Sequence, residues 1–121
     1  MKVNEAAFFA YPVTDLKRAR KFYEDILGLK HTGDRPIPWI EYDLGNATLG
    51  LGAYGNDWVP SKDGAMLALE VDDFEKSVSE LKSANVPFHM EATETPVCHF
   101  AIIRDPDGNA LMIHKRKPGN N

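Results

Sequence analysis

The chain has 121 residues, enough for one compact domain that buries roughly two-thirds of the surface its unfolded form exposes. Hydrophobic residues make up 43% and charged residues 26%, a globular mix that excludes disorder, collagen-like repeats and low-complexity architectures. Eighteen acidic against fourteen basic side chains give a net charge of −4, which speaks against nucleic acid or an anionic membrane as partner.

The apolar run Ala6–Val13 is too short to span a bilayer and lacks the flanks of a secretory signal. It reads as a first strand. Leu16, Ala19, Phe22, Tyr23, Ile26 and Leu27 follow at spacings of three and four, predicting a helix with one apolar stripe. Thr14 or Asp15 can cap its start, and Gly28 can end it. Trp39–Leu44 and Ala47–Tyr54 predict two strands joined by the two-residue turn Gly45-Asn46. Ala65–Val71 is a further strand. Asp72 with Glu75 has the form of a capping box opening a helix with Phe74, Val78, Leu81 and Ala84 inward. Val86–Glu91 and Val97–Arg104 read as strands. Asp105-Pro106-Asp107-Gly108 is a type I turn signal, and Asn109–Lys115 completes a hairpin. The tail through Asn120 and Asn121 is expected to be loose. The single cysteine, Cys98, cannot form an internal disulfide, and the chain is expected to be soluble and cytoplasmic.

The order of elements repeats. A shift of 58 places Val13-Thr14-Asp15-Leu16 on Val71-Asp72-Asp73-Phe74, and Gly45-Asn46-Ala47 is answered by Gly108-Asn109-Ala110. The expected architecture is α+β: a single domain over 1–121 built of two tandem βαβββ modules, about 5–54 and 65–116, with a linker over 55–64. These residues, with Phe22-Tyr23, Leu27-Gly28-Leu29, Glu70-Val71-Asp72-Asp73 and Arg104-Asp105-Pro106-Asp107-Gly108-Asn109, cover nearly the whole chain. The tandem resembles the vicinal oxygen chelate superfamily of glyoxalases, bleomycin-resistance proteins, fosfomycin-resistance enzymes and extradiol dioxygenases. The resemblance implies half-barrel sheets around a cavity, and a homodimer.

Strand alternation separates two faces. The Gly45-Asn46 turn pairs Glu41 with Gly50 and Trp39 with Gly52, which puts Trp39, Glu41, Asp43, Thr48, Gly50 and Gly52 on the cavity side. Centring the last hairpin on Asp105–Gly108 pairs Ile102 with Leu111 and Phe100 with Ile113 on the helix side. It places Ala101 beside Met112 and His99 beside His114, facing in. A one-residue slip would exchange these faces, and the matching apolar rows argue against it. Phe8, Ala10, Met66, Ala68 and Glu70 also face in.

In metal-dependent relatives four inward positions hold a divalent ion. The resemblance maps them onto Phe8, Gly50, Met66 and Met112. Phe and Gly offer no side-chain lone pair, and a thioether is a soft ligand unsuited to Mg²⁺, Mn²⁺ or ordinary Zn²⁺ sites. No metal and no other cofactor is therefore expected. An apolar, polarisable surface remains, suited to an aromatic or otherwise apolar group.

Chemistry could still come from a few residues. Glu41, with Asp43, could attract a cationic ligand or act as a general base, or be a solvated rim carboxylate. His99 and His114 could bind an anion, shuttle a proton or, with Glu41 or Glu70, form a displaced metal site; otherwise they are two neutral histidines near a strand end. His89 and Glu91 share a strand face and invite the same two readings, and His31 reads as a surface residue. Cys98 cannot pair with adjacent His99, because neighbours on a strand point to opposite faces, and is expected on the helix side. Trp39, Tyr54 and Trp58 could wall a planar ligand. Lys115-Arg116-Lys117 reads as a charged strand end. The expected function is binding of a small, aromatic or cationic molecule by Phe8, Trp39, Glu41, Gly50, Met66, Met112 and His114. The alternative is a lyase, isomerase or dioxygenase-like enzyme using displaced metal ligands or metal-free acid/base residues, with Glu41, His99 and His114 as the catalytic candidates.

Overall fold

A computed structural model of the chain describes residues 1–119 and falls into two units, Met1–Pro60 and Ser61–Asn121. The first contains β1 (Phe9–Pro12), α1 (Leu16–Arg20), β2 (Lys30–His31), β3 (Trp39–Asp43) and β4 (Thr48–Gly52), in a sheet of order β1-β4-β3-β2. The second contains β5 (Leu67–Glu70), α2 (Phe74–Ser83), β6 (Phe88–Glu94), β7 (Cys98–Arg104) and β8 (Ala110–Arg116), in the order β5-β8-β7-β6. Each unit is one βαβββ module, and the α+β class holds. Asn120 and Asn121, the end of the tail expected to be loose, lie outside the described residues. Before them the chain is tied, since Lys117 donates its backbone N–H to the Val97 carbonyl at 2.9 Å.

The two halves start their helices identically. Asp15 accepts the Arg18 N–H at 3.1 Å, and Asp73 accepts the Lys76 N–H at 3.0 Å. Asp73, not Asp72, is therefore the second cap, one place later than the box pattern suggests and equivalent to Asp15 under the 58-residue shift. Beyond Arg20 the first helix widens into a π-helical segment, Lys21–Ile26, in which Leu27 donates to the Phe22 carbonyl five residues back. The wider turn keeps Phe22 and Tyr23 buried but carries Ile26 out to 37% exposure, against the α-helical spacing. In α2 Leu81 is buried, whereas Ala84, expected inward, is the exposed C-cap.

The register of the first hairpin matches its two-residue turn: Glu41 pairs with Gly50 and Trp39 with Gly52. Leu44 N–H bonds the Ala47 carbonyl at 2.9 Å, and Gly45 takes φ +89°. The last hairpin differs from expectation by one residue. Asp105 N–H donates to the Asn109 carbonyl at 2.9 Å while Gly108 N–H donates to the Asp105 carbonyl at 3.0 Å. Gly108 sits at φ +89°, so the loop is Pro106-Asp107-Gly108, a type I turn followed by a left-handed glycine. That extra residue pairs Ile103 with Leu111, Ala101 with Ile113, Ile102 with Met112, Phe100 with His114 and His99 with Lys115. Ala101, Ile103, Leu111 and Ile113 are the buried, helix-packed row. Phe100 and Ile102 move to the opposite face, with Met112 and His114, and Cys98 follows them by alternation.

The loop is held by its own buried carboxylate. Asp105, 3% exposed, accepts the backbone N–H groups of Asp107 and Asn109 on Oδ1 and the Asn109 side-chain amide on Oδ2, each at 2.9 Å. Removing it strands donors in a buried setting, each costing on the order of 1–3 kcal/mol. Asp105→Ala is expected to destabilise the protein by about 3 kcal/mol, read as a lower urea midpoint at unchanged slope.

Candidate functional site

In the first unit the face opposite the helix is built from strand positions that alternate. Ala10 on β1 pairs with Gly50 on β4, and Gly50 pairs with Glu41 on β3, so all three share that face with Trp39 and Gly52. The glycines are a shelf for aromatic rings. A Cβ on Gly50 would stand 2.2 Å from Trp39 Cζ2, and one on Gly52 would meet Tyr54 at 2.8 Å and Trp39 and Trp58 at 3.0 Å. The Trp39 indole therefore lies directly on backbone. Phe8 meets it edge-on, with ring centres 5.4 Å apart and planes at 79°. Trp58 lies nearly parallel to it, at 6.5 Å and 21°. Phe8 is half exposed and Tyr54 40% exposed.

Glu41 sits at the edge of this aromatic group and both its oxygens are engaged. Oε2 accepts the Trp39 indole N–H at 2.9 Å and Oε1 the Arg35 guanidinium at 2.8 Å. The Trp39 hydrogen bond, then that of Arg35, holds the Glu41 carboxyl below its ordinary range against the opposing pull of partial burial. Glu41 is thus a positioning group for the indole. Asp43 does not join it as a carboxylate pair; it is exposed and accepts the Gly45 N–H at 2.7 Å.

Behind the sheet lies a separate polar cluster. Tyr42, fully buried, donates its hydroxyl to Glu24 Oε2 at 2.8 Å, and Glu24 also binds Arg20 at 2.7 Å. Burial, then the Glu24 carboxylate, pushes the Tyr42 phenol well above its ordinary range. His31, expected at the surface, is a β2 residue packed against Tyr42 with ring centres 6.2 Å apart. Its buried Nε2 lies 3.4 Å from the Asp34 carboxylate without a hydrogen bond.

The corresponding face of the second unit carries Ala68 and Glu70 from β5, Met112 and His114 from β8, and Phe100 and Ile102 from β7. His114 Nδ1 is 2.6 Å from Glu70 Oε1, and Glu70 Oε2 accepts the Arg116 backbone N–H at 2.8 Å. Burial pulls the Glu70 carboxyl upward, but the Arg116 N–H and the His114 hydrogen bond outweigh it and hold it below the ordinary range. Met66, just before β5, is 40% exposed.

His99 does not face His114. The hairpin register sends it to the helix side, where its ring lies 5.7 Å from that of Phe74. Cys98, expected on the helix side, is buried on the other face with its Sγ 3.2 Å from the Thr95 hydroxyl. Glu91 pairs with Lys82, and His89 and Met90 stay exposed on a strand broken by two register shifts. A depression of about 560 Å³ lies between α2 and β6, lined by Phe74, Val78, Lys82 and Ala92. Another, of about 340 Å³, borders Arg20, Arg35, Ile37 and Trp39. The residues that sequence reasoning missed are Arg35 and Phe100. Phe100 was recoverable from the left-handed tendency of Gly108; Arg35 sits in an irregular segment that no periodicity places.

Among families, the chain matches the one described as the Glyoxalase/Bleomycin resistance protein/Dioxygenase superfamily over residues 5–113, and it belongs to that family. No curated protein matches it. Among solved structures it is similar to TnmS3, an antibiotic binding protein from Streptomyces sp. CB03234, at 24% identity and a TM-score of 0.81, covering 97% of this chain and 99% of that one. It is also similar to a lactoylglutathione lyase from Agrobacterium tumefaciens at 19% identity and 0.73, covering 94% and 95%. A glyoxalase/bleomycin resistance protein/dioxygenase from Alicyclobacillus acidocaldarius matches at 22% and 0.72, covering 93% and 92%. These likenesses show the fold.

The residues that the resemblance maps onto the family's metal positions, Phe8, Gly50, Met66 and Met112, do not have the donor chemistry to fit an ion. In the first unit they are an aromatic ring and a glycine covered by Trp39; in the second they are two thioethers. Among the described residues no three His, Cys, Asp or Glu side chains gather as a potential ligand set.

Two outcomes follow from the Gly50–Trp39–Glu41 arrangement. In a Trp58→Phe background, Gly50→Ala is expected to lift the Trp39 indole off β4, seen as a red shift of its fluorescence with the far-ultraviolet circular dichroism retained. Because the folded Glu41 pKa lies below its ordinary value of 4.5, its stabilisation is complete above that value and is lost as pH falls through the depressed one. Glu41→Gln should therefore be less stable than the parent at pH 7, and urea unfolding should show the gap closing below about pH 4.

Proposed function

We propose that this chain is a small-molecule-binding member of its family that takes a planar aromatic ligand on the aromatic face of residues 1–60 and works without the family's metal. The observation that carries the reading is the Trp39 indole laid flat on Gly50 and Gly52, with Phe8 and Trp58 beside it. Aromatic side chains give a planar ligand large contact area at little entropic cost. Both Glu41 oxygens are already bonded, so the ring system rather than a positive charge is the feature recognised. That TnmS3 is an antibiotic binding protein supports the same use of the fold. Met66, Met112 and His114 offer a second surface, on the other unit. The reading includes a homodimer, for which sedimentation velocity is the check.

The alternative, an enzyme with displaced metal ligands, is separated by elemental analysis of protein purified without added metal: a blank is expected, and stoichiometric Fe, Mn, Ni or Zn would favour the enzyme. The binding itself is tested by titrating naphthalene and the cation proflavine against tryptophan fluorescence. Both should quench it saturably in the parent, and Trp39→Ala should weaken binding at least tenfold while remaining folded by circular dichroism. Unchanged affinity in Trp39→Ala removes the aromatic face from the site.

A further inference from the structure

We propose that Glu70 and His114 form a proton-accepting site on the second unit, one that takes an acidic aromatic hydroxyl and stands independently of the Trp39 face. The pair is built by the parallel register of β5 and β8, which sets Glu70 directly opposite His114. Glu70 is doubly anchored on β8, through the His114 ring at 2.6 Å and the Arg116 backbone N–H at 2.8 Å, with the Arg116 guanidinium 3.8 Å away. An ionised carboxylate can only accept, so the ring nitrogen facing it, Nδ1, carries the proton. With Nδ1–H so committed, the lone pair of the imidazole lies at Nε2, the tautomer logic by which a carboxylate prepares a histidine to act as a base.

Nε2 has no protein partner among the described residues, and the His114 side chain is 24% exposed. Its surroundings are two-sided. Phe100 pairs with His114 across the hairpin, and Met112 and Ile102 extend the same face by one step of the pleat, giving an apolar strip that ends at the imidazole. The charged groups near the ring are Glu70 from β5 and Arg116 from β8. Arg104, at the far end of the strip on β7, is committed to the Lys62 and Gly108 carbonyls. Such a strip suits an aromatic ring whose hydroxyl meets Nε2. In the transfer the O–H bond breaks and its electron pair stays on oxygen. The proton forms the Nε2–H bond of an imidazolium whose Nδ1–H remains on Glu70.

The probe is p-nitrophenol, whose phenolate absorbs where the phenol does not. It is added to the intact protein at a pH where the free probe is mostly protonated. The parent should generate a saturable phenolate band, Trp39→Ala should keep it, and His114→Phe should lose it at least tenfold. His114→Asn is the second variant, since its amide can still donate to Glu70 but has no atom in place of Nε2; it should lose the band with folding unchanged by circular dichroism. No band in the parent overturns the site. So does a band kept in either His114 variant, or one lost in Trp39→Ala, which would return the probe to the first unit. Because the proposed function is read from Trp39 quenching and this site from the His114-dependent band, either can fail without the other.

Discussion

Everything on the face of the first unit opposite its helix depends on a close approach that only glycine permits. Trp39 sits where side chains at positions 50 and 52 would stand, so the strand backbone serves as the floor for an indole. An indole on a bare strand is free to tilt unless its polar edge is tied, and the Trp39–Glu41 hydrogen bond ties it at 2.9 Å. Arg35 then occupies the other carboxylate oxygen. Shelf, ring and tether are three parts of one device.

The two modules share a frame and differ in what stands on it. Ala10 beside Gly50 corresponds to Ala68 beside Met112, and Pro12 beside Gly52 corresponds to Glu70 beside His114. Opposite these stand Trp39 in one module and Phe100 in the other. An identical register thus delivers an aromatic shelf in one half and a charged pair ending an apolar strip in the other. Nothing in the frame demands either outcome; the side chains at a few matched positions decide it.

Much of this is legible in the amino-acid sequence. The repeat, the order of elements and the first hairpin follow from the 58-residue shift and from Gly45-Asn46, because a two-residue turn fixes register rigidly. The last hairpin did not follow, for a specific reason. Asp105-Pro106-Asp107-Gly108 is a sound turn signal, but whether Gly108 is the last residue of the turn or an extra left-handed residue beyond it is a backbone question, decided here by the Asp105–Asn109 pairing. One residue of difference exchanged Phe100 with Ala101 and separated His99 from His114. The β5–β8 pairing was immune to that slip, which is why Met112, His114 and Glu70 stood on the expected face while β7 did not.

The Glu41 carboxylate illustrates how a residue can sit where a base is expected and be held as a weaker one. Its depressed pKa follows from its two hydrogen bonds, since each donor stabilises the anion over the protonated form. The imidazole of His114 is in the opposite condition. Its carboxylate partner engages one ring nitrogen and, among the described residues, the other has no partner. A carboxylate near a ring can thus either spend its acceptors holding the ring or prepare the ring to accept. In this chain Glu41 does the first for an indole, which has no lone pair to offer, and Glu70 the second for an imidazole, which has one.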